Sequence, residues 1–201
     1  MIAAWMLWAT SIAGAAEADC VPYPPARAAE DVSQFIAMAQ FDKIQERVQR
    51  MEQGFVCLSS FSTTDALAKV YQVAGTAAFH SEDLSLAAAR YERAVLVAPV
   101  VPFDVGNLGA APLSIFETAR TTVLDRPTGM VVAEGPVVLN GASLRTGATL
   151  PVATGSYLVQ HVGVGQQYAR VTAQRGPIGL RRVAVVRRDE GAEERGGARI
   201  A

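Results

Sequence analysis

The chain has 201 residues, a formal net charge of -1, two cysteines and two histidines, which leaves room for one ordinary domain or two small ones. Half of its residues are apolar and its mean hydropathy is +0.20, a composition that argues against a disordered chain. The balanced charges give no general attraction to nucleic acid. The few thiols and imidazoles make no convincing closed metal site, so neither a metal nor a cofactor is expected.

Residues 1–16, MIAAWMLWATSIAGAA, carry no charged side chain and end in small residues, the layout of an export signal with an Ala-x-Ala cleavage site. The run lacks a basic n-region, and Glu17 and Asp19 stop it short of the length needed to cross about 30 Å of hydrocarbon. The expectation is a cleaved signal peptide, with a retained anchor and a misassigned start as alternatives. Export would carry Cys20 and Cys57 into an oxidising compartment, where a bridge between them would contribute about 3 to 4 kcal/mol by chain entropy. The competing reading of Cys57, set in FVCL, is a buried thiol.

Pro22, Pro24 and Pro25 form an extended lead-in to a helical domain expected over 28–126. Phe35, Ile36, Ala39, Ile44, Val48 and Met51 recur at mostly three- and four-residue spacings, which predicts helix from Ala28 to Gly54 with a break near Gln40 to Asp42. Hydroxyl caps at Thr63 and Thr64 open a second helical segment ending at His80. A third runs from Leu84 to Val97 and is stopped by Pro99, and a last one is expected from Pro112 to Leu124. The intervening Val100 to Ala111, rich in proline and glycine, reads as a connecting loop.

Tyr71, Ala74, Gly75 and Ala78, followed by Ala87, Tyr91, Ala94 and Pro99, fall at the spacings of the signature positions of a tetratricopeptide repeat, and the pair resembles that family. Gly75 leaves room for the partner helix and Ala87 supplies the matching small surface, while Tyr71 and Tyr91 fill the wider ends. Ala74 and Ala78 depart from the larger residues usual there. A single repeat cannot bury its own face, so an earlier, degenerate helical pair is expected over Ala28 to Leu58.

Beyond Pro127 the periodicity shortens to Val-rich runs punctuated by glycine, which predicts strands and a small antiparallel β module over 128–188. Asn140-Gly141 is a strong hairpin turn signal, and Thr154-Gly155 and Gly163 to Gly165 mark further turns. Tyr157, Val159 and His161 alternate with Ser156, Leu158 and Gln160. The wording of this stretch resembles the small β modules of surface-layer-associated proteins, which implies a structural or envelope-associated role. Residues 189–201 are charged and glycine-rich and read as a disordered tail. The fold class expected is α+β: an N-terminal helical-hairpin repeat region followed by a small antiparallel β domain.

No motif for catalysis emerges. His80, beside Glu82 and Asp83, reads as a solvated turn, and His161 as a packed strand histidine without a partnering nucleophile. Arg181, Arg182, Arg187 and Arg188 flank VAVV and either form a patch for an anionic envelope polymer or protect a sheet edge. The combined pattern resembles exported Gram-negative envelope proteins of unknown activity. It implies a non-enzymatic binding or scaffold protein of the periplasm or cell envelope, peripheral to the membrane at most, with another protein or peptide as partner. Lys69, Gln72 and Thr76 on the first repeat helix, with Asn107 in the loop, are the expected contact residues. A structural component of a secretion or surface assembly, and a hydrolase using His161, are the alternatives.

Overall fold

The computed structural model describes residues 21–55, 58, 61–133, 135–161, 164–171 and 177–180. The predicted signal peptide, Cys20, Cys57, the four arginines Arg181, Arg182, Arg187 and Arg188, and the predicted tail lie outside the described residues. Among the described residues six helices come first: α1 Pro25–Ala37, α2 Phe41–Gly54, α3 Thr64–His80, α4 Leu84–Val97, α5 Val105–Leu108 and α6 Leu113–Leu124. Seven strands follow among these residues: β1 Thr128–Ala133, β2 Val137–Leu139, β3 Ala142–Leu144, β4 Thr149–Ala153, β5 Gly155–His161, β6 Val164–Val171 and β7 Pro177–Leu180. This is the expected α+β order of a helical region and a small β region. Among the described residues no helix is long and apolar enough to cross a membrane.

The first helix starts at Pro25, ahead of Ala28, because proline at N1 has its φ already set and lacks an N–H that would have no helical acceptor. Tyr23, in the lead-in, is buried against the pair α1 and α2: its hydroxyl donates to Asp31 at 2.5 Å, and the Arg50 guanidinium lies over its ring at 5.1 Å. Burial, reinforced by Asp31, raises the Tyr23 pKa. The predicted break falls at Met38–Gln40, where Ala39 takes φ 52°.

Helix α3 lies in the middle and packs on α1, α2 and α4, which is why it is buried almost continuously from Leu67 to Ala78. A Cβ at Gly75 would collide with the Tyr91 ring, so α3 and α4 reach this separation only with glycine there. The Tyr91 hydroxyl meets that of Thr76 at 3.0 Å, and its ring stands edge-on to Phe103 and Phe116. One tyrosine thus joins α3, α4, α6 and the loop between α4 and α6, and burial pushes its pKa up to about 12. Glu52 on α2 accepts from the Tyr71 hydroxyl at 3.0 Å and from Arg90 at 3.2 Å, binding three helices through one partly buried carboxylate.

The strands form two sheets, one three-stranded in the order β4-β1-β7 and one four-stranded in the order β3-β2-β5-β6. All described pairings are antiparallel except β1 with β7, which is parallel. Asn140 (φ 47°) and Gly141 (φ 86°) make the predicted tight turn between β2 and β3, both residues taking the positive φ that suits the twist of a two-residue hairpin. At Thr154 the chain also turns, but β4 and β5 belong to different sheets, so this is a crossover and not a hairpin. Strand β5 is buried on both faces from Tyr157 to Gln160, since Leu158 approaches α3 and α4 while the Tyr157 hydroxyl donates to Ala153 of β4 at 2.7 Å.

The helices and sheets share one apolar core, and their joint is polar and specific. Thr64 Oγ1 at the start of α3 donates to the Asn140 carbonyl at 3.0 Å. The Asn140 side chain donates to Leu96 O at 3.0 Å and accepts from Leu158 N at 2.8 Å. Gln160, only 1% exposed, accepts from Ser62 N at 2.9 Å. Arg93 donates to Ser156 O at 3.1 Å, and Arg126 reaches both Glu92 and Thr154 O. A Cβ at Gly141 would lie 2.6 Å from the Thr63 carbonyl carbon, so that position excludes a side chain, and one at Gly155 would lie 2.7 Å from Leu96 Cδ1 and would have to displace the Leu96 side chain.

Candidate functional site

A concavity of about 390 Å³ lies between α1, α3 and the segment that joins α4 to α6. Its volume falls in the range of about 300 to 1,000 Å³ typical of ligand pockets. Three elements supply its walls through simple helical spacing. Ser33, Ile36 and Ala37 project from one side of α1, and Asp65, Lys69, Gln72 and Val73 from one side of α3, positions separated by three or four residues and therefore on one face. Val101, Pro102 and Asp104, with Asn107 and Leu108 of α5, close the third side.

Gln72 shapes that third wall. The side chain is 4% exposed, and its amide holds the connecting strap at two points: Nε2 donates to Pro102 O at 3.1 Å and Oε1 accepts from Asp104 N at 3.4 Å. Beneath the strap, Phe103 is buried against Tyr91 and Phe116. The strap was expected to be irregular throughout. It instead contains the single turn α5, because Asp104 Oδ1 accepts from Asn107 N at 3.2 Å as an N-cap, while Asn107 Nδ2 donates to Asp104 Oδ2 at 2.6 Å.

Of the four residues expected to contact a partner, Lys69, Gln72 and Asn107 line this one cavity. Lys69 is exposed and has no ion-pair partner among the described residues. Thr76 lies elsewhere: it is 1% exposed, and its hydroxyl is taken up by Gln72 O at 3.1 Å and Tyr91. The reason is the central position of α3, which covers the middle of its polar stripe at Gln72 and Thr76 while Lys69 near its start and His80 at its end stay exposed. Asp65 and Asp104 were not singled out from the sequence. Asp65 was detectable as the residue one turn before Lys69, whereas Asp104 reaches the cavity only through the fold of the strap.

The two histidines stand away from this cavity. His80, at the exposed end of α3, stacks on Phe41 with 5.1 Å between ring centroids, and its neighbour Asp83 is engaged as the cap of α4. His161 ends β5, its backbone paired with Val137 and Val164. Among the described residues no three His, Cys, Asp or Glu side chains converge as a metal-binding group would. Comparisons of this chain with protein-family models, with curated proteins and with solved structures found no match.

Proposed function

We propose that this chain is a non-enzymatic binding protein of the bacterial cell envelope, and that the cavity between α1, α3 and the strap receives a segment of a partner protein or peptide. The observation that carries the reading is the convergence of an aliphatic lining from Ile36, Val73 and Leu108 with unpaired polar groups such as Lys69 at its edge. Binding sites combine these two features, the first for burial and the second for orientation. The close contact of Gly75 with Tyr91 supports a tetratricopeptide-like pairing of α3 with α4, an architecture that presents the first helix of each pair along one face. The envelope location rests on the export-like leader.

Ala37 provides the test, because it is exposed and on the wall, so Ala37→Trp fills the cavity without disturbing the core. A peptide array probed with the full chain should return binders whose affinity collapses in Ala37→Trp, while circular dichroism stays unchanged. Binders indifferent to the tryptophan would place recognition elsewhere and overturn the proposal.

A further inference from the structure

We infer that the cavity selects a cationic, aliphatic peptide: an apolar side chain enters between Ile36, Val73 and Leu108 while a neighbouring Lys or Arg pairs with Asp65 and Asp104. The inference rests on the reading of the cavity as a peptide site and adds the chemistry of its ligand. The lining carries two carboxylates and one ammonium, hence one net negative charge. These groups are also unequal in how they are held. Asp104 is fixed in place, both its oxygens being bonded to Asn107, yet each carboxylate oxygen retains a further lone pair for an incoming donor.

Asp65 sits in the first turn of α3 on a side chain too short to leave the wall. Lys69, by contrast, stands on a flexible four-carbon stem, and with no ion-pair partner among the described residues to hold it its ammonium can swing out to water. A cationic ligand therefore displaces the one mobile like charge and meets two stationary opposite ones. An anionic ligand gains Lys69 but must lie beside both carboxylates, a like-charge contact that works against binding.

The experiment titrates the full chain with three blocked peptides, acetyl-Leu-Val-Arg-Leu-Lys-amide and its counterparts with both basic residues replaced by Gln or by Glu, following the Ile36 and Val73 methyl resonances. The cationic peptide should bind about fivefold or more tightly than the neutral one, and the acidic peptide most weakly, as expected of two partly exposed ion pairs. Asp65→Asn with Asp104→Asn should bring the cationic peptide down to the neutral level. Asparagine caps a helix as well as aspartate does, so α5 is preserved. Lys69→Gln should tighten the cationic peptide by about twofold, an effect that a residue serving only structure would not produce. Preference for the acidic peptide, lost in Lys69→Gln, would reverse the charge assignment and overturn it. Equal binding of all three, insensitive to the charge substitutions, overturns the inference and leaves the peptide site standing. If none of the three moves the cavity resonances of a folded chain, the peptide site falls with it.

Discussion

The joint between helices and sheets and the cavity between α1, α3 and the strap are both lined by polar side chains, and they use them in opposite ways. At the joint, Asn140 and Gln160 are buried, and their amides bond backbone groups of the other half. At the cavity, Lys69 and Asp65 are exposed, with no ion pair between them. Gln72 belongs to both modes, since it lines the cavity while its amide is committed to the strap. Buried polar groups that bond each other fix geometry, because leaving one unpaired costs about 1 to 3 kcal/mol. Polar groups facing solvent fix nothing and remain for a ligand. The molecule is therefore rigid where its halves meet and chemically open on the α1–α3 side.

That contrast can be broken most severely at the joint. Gly141→Val would force a branched side chain to φ 86° and into the backbone of Thr63 and Thr64, and we expect a loss of about 3 to 5 kcal/mol, from strain and overpacking together. The check is the urea midpoint, and a variant within about 1 kcal/mol of the parent would show that the joint yields. Asn140→Ala comes next, with about 2 to 3 kcal/mol lost as Leu96 O and Leu158 N are left without their side-chain partner. Asn140→Asp should recover part of this, since it keeps the acceptor for Leu158 N and loses the donor to Leu96 O.

A smaller effect probes the shared core from both sides by pH. Tyr91 in the helical half and Tyr157 in the sheets both have pKa values pushed up by burial to about 12 from an ordinary 10.0, the rise at Tyr157 being opposed by Arg126. Below pH 10 both phenols are neutral in the folded and unfolded chains alike, and their full contribution is present. Between pH 10 and 12 the unfolded chain loses protons that the folded chain keeps, so stability falls as pH rises, by roughly 2 kcal/mol per tyrosine. Urea midpoints measured across this window should slope less steeply in Tyr157→Phe, and an unchanged slope would remove Tyr157 as a source. The smallest effect belongs to the cavity: Lys69→Gln should leave stability within about 0.5 kcal/mol of the parent, as exposed side chains without partners do. A larger change in its melting curve would mean that Lys69 serves the fold and is not held free for a ligand.

The five longer helices and their order were legible, unlike α5, because apolar spacing and caps are local signals: Thr63 opens α3 and Asp83 opens α4 through hydrogen bonds within their own first turns. The Asn140-Gly141 hairpin was legible for the same reason. What the sequence concealed depends on distant partners. The parallel pairing of β1 with β7 and the crossover at Thr154 are set by which sheet a strand joins. The burial of Gln160 follows from Ser62, far back in the chain. The cavity was half legible: Lys69 and Gln72 follow from the face of α3, and Asn107 from the loop. Thr76 continues the same stripe and is nevertheless covered, because periodicity gives the direction of a side chain and not the length over which a neighbouring helix hides it. Glu52 shows the same limit, since nothing in its local sequence indicates that Tyr71 and Arg90 meet there.

Leu96 lies near the end of α4, where the last carbonyls of a helix have no intrahelical donor, and Asn140 supplies one while its other amide atom holds β5. Fraying of α4 and detachment of β5 are thereby the same event. Heating should consequently give a single calorimetric transition, with van't Hoff and calorimetric enthalpies equal, and removing the Asn140 amide should lower its midpoint without splitting it, because the shared core and the other joint bonds remain.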